Sequence, residues 1–392
     1  MTSAPATAPA TSRRDDRLEW VVADVGVPCL IRGAAMLLQL VLIAWLNGDG
    51  PGLGDRLLKW DGQFYVQIAD SGYSRHVTVV GDSLTAGNDV AFHPLFPALA
   101  GLLHVVTRIP ADSAVLTIAV LASLAASVAV HLLARHVLGS RRAGYLAAGL
   151  LGALPMAVTL QMGYAEGLFI ALAAAGLLAA LCERWWWAGG LLFLAGLTRP
   201  VALALAVVIP LTAWHLVRQG RSVPARTVVS TSVLGALGVP AYWVFLWAWT
   251  GRVDAWFVVE KYGWKTHFDW GDSTIDFIRS ALGDPTGFSG LVPPVVAAVL
   301  LGYLLAGLLM TLGRWPLPIP VLTVIAILLA LSSTNYWHSK PRLLLTAFLV
   351  VLPAAGVLAR LRTTTAVALV AAGTFASAWF GAYMLDVWPY AI

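Results

Sequence analysis

Residues 55–73 read DRLLKWDGQFYVQIADSGY. Leu57, Trp60, Phe64 and Ile68 recur at the spacing of one helix face, so the stretch reads as an amphipathic helix over about 55–70, lying on a membrane rather than crossing it. Asp61 follows Leu57 by four residues and precedes Phe64 by three. That phase puts its carboxylate on the apolar face or its edge, whereas Asp55 and Asp70 fall opposite. A carboxylate held at the lipid boundary costs free energy, so it marks a functional position unless it merely caps or pairs locally.

Outward from this stretch the chain is apolar. Of its 392 residues 59% are hydrophobic and 11% charged, and the mean hydropathy is +0.79. A soluble domain carries roughly 25% charged residues, so lipid is the solvent for most of this chain. The net charge of +5 resides in short turns between apolar runs, which is a membrane-loop pattern and excludes a nucleic-acid partner. Trp185, Trp186, Trp187, Trp243, Trp247 and Trp249 cluster at segment ends and suit an interfacial belt. Cys29 and Cys182 both lie in or beside apolar segments, so neither a disulfide nor a metal site is expected.

Residues 1–24 read as a disordered cytoplasmic tail. From 25 to 392 the chain reads as one all-α membrane domain. Apolar runs fall at about 25–46, 113–134, 143–160, 165–181, 185–198, 200–217, 227–250, 291–312, 316–334, 341–359 and 363–385. Segment 91–108 is apolar too, but carries His93, Pro94, Pro97 and His104. Taken as re-entrant or membrane-lying, it leaves eleven spans. Then Arg135, Arg141, Arg142, Arg184, Arg218, Arg221, Arg226, Arg314, Arg360 and Arg362 all fall on the side of the N-terminal arginines. Taken as a span, it puts Arg135, Arg141 and Arg142 outside. The positive-inside rule selects the first choice. Residues 47–112 then form a first outer loop and 251–290 a second large one, with the active face outside the plasma membrane.

Unusual polar residues converge on that outer side. Glu166 opens an apolar helix, either favoured there by the helix dipole or serving to bind an acceptor. Arg199, in the tight link Thr198-Arg199-Pro200, needs a partner: a lipid phosphate, or a buried pair with a carboxylate such as Glu166. His338, Lys340 and Arg342 put three cations at one helix mouth, fitting a donor phosphate or anionic headgroups. Lys261, Trp264 and His267 lie among aromatic rings in the second loop, a mixture that suits a sugar or a membrane interface. His93 is either a satisfied core histidine or a neighbour of the Asp61 element. The His/Asp spacing suggests no metal, and no cofactor is expected.

Trp60-Asp61-x-Gln63-Phe64-Tyr65-x-x-Ile68-Ala69-x-x-Gly72-Tyr73, followed by Ala91-Phe92-His93-Pro94-Leu95-Phe96-Pro97, resembles the first-loop signature of PIG-V-type mannosyltransferases. That family comprises the second GPI mannosyltransferase and its bacterial relatives, within the GT-C superfamily. Tyr164-Ala165-Glu166-Gly167-Leu168-Phe169, Thr198-Arg199-Pro200 and Ser339-Lys340-Pro341-Arg342 extend the likeness in order over about 25–360. Two features depart from it: His93 stands where the family usually has Phe, and the spacer between Tyr73 and Ala91, containing Asp82 and Asp89, is longer than usual.

The resemblance implies a GT-C fold with two membrane-lying helices in the first outer loop. It also implies an inverting transfer of mannose from polyprenyl-phosphate-mannose to a glycan or glycolipid hydroxyl, giving an α-mannoside. Asp61 would act as the base, and Arg199, His338, Lys340 and Arg342 would hold the donor phosphate. Trp60, Gln63, Tyr65, His93, Tyr164, Glu166, Lys261, Trp264 and His267 would line the acceptor or sugar site. A transporter or flippase of a lipid-linked saccharide is the alternative. It would call for charges facing each other at mid-membrane and for repeat symmetry, and the sequence displays neither.

Overall fold

A computed structural model describes residues 18–48, 50–283, 290–334 and 336–392. The chain is almost wholly helical. Its elements are α1 (Leu18–Asn47), α2 (Leu53–Leu57), α3 (Asp61–Ser71), the strands β1 (Thr78–Val80) and β2 (Ser83–Ala86), and α4 (Leu95–Thr107) and α5 (Ala111–Leu138). There follow α6 (Arg141–Ala153), α7 (Glu166–Leu181), α8 (Trp185–Gly196), α9 (Pro200–Arg218), α10 (Ala225–Ala236) and α11 (Gly238–Thr250). The last five are α12 (Asp272–Gly283), α13 (Val292–Leu312), α14 (Pro318–Leu331), α15 (Trp337–Leu358) and α16 (Thr363–Asp386).

Six of these, α1, α5, α9, α13, α15 and α16, are long and apolar enough to cross a membrane; the pair α10–α11, bent by 46°, makes a seventh if taken as one span. This multi-pass architecture agrees with the sequence reading, while the helices that are long enough on their own do not by themselves reach the count of eleven. The other four expected spans form helices of 12 to 16 residues: α6, α7, α8 and α14. At 1.5 Å per residue these rise only about 18–24 Å, short of a hydrocarbon core of about 30 Å. Segment 91–108 contains the 13-residue α4, which packs on α3 and α5. The first loop therefore holds α2, α3 and α4, where two membrane-lying helices were expected.

Small residues set the packing. Gly167 of α7 lies so close to α5 that a Cβ there would stand 3.2 Å from the Ser123 nitrogen. A Cβ on Gly196 of α8 would stand 2.7 Å from Cα of Gly238, where α11 begins. Helices in lipid gain by such close backbone approach, because burying apolar surface offers little advantage there. Leu30, Leu37, Val41 and Trp45 of α1 stay exposed, as lipid-facing side chains do. Arg32 on the inner side of α1 is fully buried. It donates from Nε to Ser123 Oγ at 2.7 Å and from Nη2 to the Ala157 carbonyl at 3.2 Å.

The expected disordered tail ends sooner than residue 24. Residues 18–24 already belong to α1, and residues 1–17 lie outside the described residues. The reason is Asp24, which is fully buried and takes His131 at 3.0 Å, Arg135 at 2.6 Å and Arg141 at 3.0 Å. Arg142 donates to the Leu361 carbonyl at the same end of the bundle.

The opposite end is built from the loops. Between α3 and α4 the long spacer folds into the antiparallel β1–β2 hairpin, which the sequence reading did not anticipate. The hairpin packs against the turn Val259–Gly263 of the second large loop. Further along that loop, the Asp269 amide bonds the Ser332 carbonyl at 3.0 Å and the Thr334 amide bonds the His267 carbonyl at 2.9 Å. These bonds tie the loop to the start of α15.

Candidate active site

Asp61 does not lie within a continuous helix. The expected helix over 55–70 breaks at residues 58–60, and Asp61 is the first residue of α3. Trp60 makes the break with φ +56°, a left-handed conformation that costs a bulky residue roughly 1–3 kcal/mol. Packing holds it there: Trp60 lies against the main core and the Lys59 ammonium sits 5.2 Å from its ring centroid. Asp61 is thus placed by a strained turn rather than by the phase of an amphipathic face. The start of α3 also favours its charge through the helix dipole.

Two glycines bring this turn to the start of α7. The Gly163 amide donates to the Leu57 carbonyl at 2.9 Å. A Cβ on Gly163 would meet Leu58 Cδ2 at 2.7 Å and Val115 Cγ1 at 2.8 Å, and one on Gly62 would touch the Gly163 carbonyl at 3.6 Å. Next in the chain, buried Tyr164 donates its hydroxyl to the Lys59 carbonyl at 3.1 Å. Glu166 then opens α7 against α5, where only Gly167 allows so close an approach.

These placements assemble four charges. Arg342 Nη1 donates to Asp61 Oδ2 at 2.6 Å, and its Nε stands 3.7 Å from Glu166 Oε1. Arg199 pairs with the same Glu166 oxygen. The Arg342 guanidinium also lies 5.1 Å from the Tyr164 ring centroid, a cation–π contact. The Glu166 side chain is 1% exposed, while those of Arg342, Arg199 and Asp61 are 11%, 15% and 17% exposed. The deep carboxylate is therefore spanned by two cations, and the catalytic candidate sits at the more open end. Two arginines and two carboxylates balance, which offsets the cost of removing them from water.

Glu260 is the residue the site gains. It lies half-buried in the turn Val259–Gly263. Burial and the nearby Asp61 carboxylate push its carboxyl up to about 7, against an opposing pull from Arg199. The sequence reading did not single out Glu260 from the other polar residues of the second loop. Its sole sequence signal was the alternation of acidic and aromatic residues there.

The remaining expected residues divide. Tyr65 is buried between Phe92 and Phe96. Gln63 is exposed on α3. Trp264 packs its ring 5.6 Å from Phe64 and 5.5 Å from Phe92, closing the site on one side. His93 is a core histidine: its Nδ1 lies 2.8 Å from the Gly196 carbonyl and its ring 4.7 Å from Tyr242. Burial lowers its pKa to about 3, so it is neutral. Lys340 is 1% exposed and donates to the Ser333 carbonyl at 2.6 Å. His338 is stacked between Tyr336 and Tyr390. Lys261 is exposed, over the Tyr262 ring, and His267 is exposed beside Thr334. Neither has a contact with the four-charge cluster among the described residues. No group of three His, Cys, Asp or Glu side chains among the described residues is arranged to hold a metal.

The arrangement suits group transfer to a hydroxyl. A carboxylate with one oxygen held by a guanidinium presents the other to a proton, and a second guanidinium stands nearby for an anion. An apolar cavity of about 310 Å³ adjoins the far end of α3, lined by Ile68, Tyr73, Pro94, Pro97, Leu102 and Phe245 among others.

Residues 50–216 match the model of a family described as Mannosyltransferase (PIG-V). The matched stretch holds Asp61, Tyr164, Glu166 and Arg199. Among solved structures the fold is similar to ArnT from Cupriavidus metallidurans bound to undecaprenyl phosphate, with TM-score 0.52 and 13% identity over 97% of this chain and 76% of that one. The apo state of the same protein gives 0.50 and 13% over 95% and 76%. The archaeal oligosaccharyltransferase AglB from Archaeoglobus fulgidus, in complex with an inhibitory peptide and a dolichol-phosphate, gives 0.50 and 12% over 91% of this chain. The chain spans just over half of AglB, 56%. No curated protein matches the sequence. The fold is that of the GT-C glycosyltransferases, residues 50–216 match the PIG-V mannosyltransferase family, and together these findings support a glycosyltransferase.

Proposed function

We propose that this glycosyltransferase moves mannose from polyprenyl-phosphate-mannose to a hydroxyl of a glycan or glycolipid on the outer face of the membrane, with inversion to an α-mannoside. The observation that carries this reading is the Arg199–Glu166–Arg342–Asp61 array inside the matched fold. The acceptor oxygen attacks the anomeric carbon, the bond from that carbon to the phosphate oxygen breaks, and Asp61 takes the hydroxyl proton. Asp61 Oδ2 is bound to Arg342, so Oδ1 is the oxygen that faces the hydroxyl. The departing polyprenyl phosphate needs no acid, because its charge is met by Arg199 and Arg342. Lys340 and His338 take a supporting place in this scheme: one holds a backbone carbonyl and the other is packed in aromatic rings. The undecaprenyl phosphate and dolichol-phosphate held by the two structural neighbours support a lipid-linked donor. The arginine-rich loops gathered near Asp24, opposite Asp61, support an outward-facing site and a cytoplasmic N-terminus.

The test is transfer from synthetic polyprenyl-phosphate-mannose to a mannoside by the purified protein and its Asp61→Asn variant. The variant is expected to lose at least about a hundredfold in rate. Full activity in the variant removes Asp61 from the base role, and an inactive unmodified protein across several donors and acceptors removes the reading itself.

A further inference from the structure

Asp61 and Arg342 come from distant parts of the chain, and a third segment holds the turns that carry them. It begins where α16 ends. The last carbonyls of a helix lack intrahelical partners and carry partial negative charge. Leu385 and Asp386 stand at that end of α16. Two cations from the stretch leading into Asp61 meet them there. Arg56 Nε lies 3.0 Å from Asp386 Oδ1, and the Asp386 side chain is 2% exposed. Among the described residues Arg56 is the one cation paired with it. Arg56 also donates to Asn47 Oδ1 at 2.6 Å. Lys59 donates to the Leu385 carbonyl, while its own carbonyl accepts from Tyr164 at 3.1 Å. Trp60 follows, held at φ +56°, and then Asp61. The end of α16 therefore fixes the strained turn from which Asp61 projects.

The same segment then reaches the turn before Arg342. The Trp388 amide bonds the Tyr383 carbonyl at 3.0 Å. The Trp388 ring packs 5.6 Å from that of Trp337 and 5.8 Å from that of His338. Tyr390 stacks on His338, the Ser339 hydroxyl donates to the Ala391 carbonyl at 3.4 Å, and Ile392 is buried in the main core. Ser339 precedes Arg342 by three residues. Residues 385–392 thus bridge the two turns whose side chains meet at 2.6 Å.

Resting on the mannosyl-transfer reading, we propose that Asp386 is a positioning residue, which through Arg56 sets the Trp60 turn so that Asp61 lands on Arg342. Among the described residues Asp386 makes no hydrogen bond or ion pair with Asp61 or Arg342, so it acts by placement alone. Breaking a buried ion pair by removing one partner is costly because the other charge is left uncompensated. Without Asp386 the Arg56 guanidinium stays beside the Leu385 carbonyl with no countercharge. The stretch 56–60 then relaxes away from α16 and carries Asp61 with it.

The experiment measures transfer from synthetic polyprenyl-phosphate-mannose to a mannoside by the unmodified protein, Asp386→Asn, Asp61→Asn and the double variant. Asp386→Asn should lower kcat by roughly ten- to a hundredfold, the effect of misplacing a catalytic group by about 1 Å. It should hold the donor and acceptor KM within about twofold, as expected for an interaction felt only in the transition state. In the Asp61→Asn background the same change should cost less than about threefold, because a residue that acts through Asp61 has nothing left to place. Equal factors in the two backgrounds, or a loss confined to KM, overturns the assignment while the transfer reading stands. If Asp386→Asn fails to fold, Lys59→Met, which removes the other side-chain contact to the same helix end, takes its place in the cycle and the same outcomes decide. An unmodified protein that transfers nothing overturns both readings.

Discussion

Arg342 and Asp61, separated by 281 positions, meet at 2.6 Å through one guanidinium nitrogen and one carboxylate oxygen. The same guanidinium reaches back to Glu166 and covers Tyr164. Arg342 therefore orients the proposed base and stands where a phosphate charge develops. Arg342→Gln should lower kcat/KM for the donor by a hundredfold or more, as removal of an anion-stabilising donor does, by about 10²–10³. Arg342→Lys keeps the charge but not the planar fork, so it should recover only part of that loss. Steady-state kinetics with the donor varied is the measurement, and a Gln variant within about threefold of the unmodified protein refutes the role.

Glu166 bridges Arg199 and Arg342 from a nearly sealed position. Removing its charge leaves two guanidinium groups facing each other. Glu166→Gln should cost about 3–5 kcal/mol, the usual range for breaking a buried pair. Replacing Glu166 and Arg199 together by Leu should cost less than the two single changes added, because the pair goes as a unit. Thermal unfolding in detergent measures both. A double variant as damaged as the sum of the singles means that the two residues act separately.

Gly163 governs how near Asp61 comes to Glu166. A Cβ there meets the side-chain ends of Leu58 and Val115, so those must rotate away, and the two further methyls of a valine press on the Gly62 backbone beside Asp61. Gly163→Val should reduce transfer by far more than its loss of stability explains, since a misplacement of about 1 Å can cost a hundredfold in rate. Gly54 is the control: a Cβ there would meet nothing within 4 Å, so Gly54→Ala should keep its activity. Transfer rates set beside thermal unfolding of each variant make the comparison, and a Gly163→Val protein as active as Gly54→Ala removes Gly163 from this role.

Asp61 was legible in the sequence, but its helical phase was not the reason: Trp60 breaks the helix, and no periodicity signals a left-handed aromatic residue. Arg199 with Glu166 was legible as one of two pairings, because a charge in a tight apolar link requires a partner. Arg342 was legible as a cation out of place, yet nothing local tells it apart from Lys340, which is spent on a carbonyl. Glu260 was not singled out, since its surroundings come from a turn packed on a hairpin far away in sequence. The runs over α6, α7, α8 and α14 were read as full spans because hydropathy reports apolar character and not helix length, and each of these helices is by itself shorter than the hydrocarbon core.

Sidedness has a direct check. In a chain whose Cys29 and Cys182 are replaced by Ser, cysteines at exposed Asp82 and Arg362 should label from opposite sides of sealed vesicles: Asp82→Cys from outside and Arg362→Cys from the cytoplasm. The arginine distribution requires it, because the Arg142 contact to Leu361 places residue 362 at the arginine-rich end. Labelling of both from one side removes the topology on which an outward site rests.

His93 offers the last prediction, since the resembling family usually has Phe there. Its Nδ1 is tied to the Gly196 carbonyl, and burial lowers its pKa from the usual 6.5 to about 3. Between those values the unfolded chain binds a proton that the folded chain refuses. Stability therefore falls as pH drops from about 6.5 toward 3 and is flat, as far as His93 is concerned, above 6.5. His93→Phe removes that proton uptake along with one hydrogen bond, worth about 0.5–1.5 kcal/mol. The variant should melt slightly lower at about pH 7.5 but lose less between about pH 7.5 and pH 5 than the unmodified protein, as followed by circular dichroism in detergent. An equal loss in both means that His93 takes up its proton without unfolding the chain, and burial is then not what keeps the ring neutral.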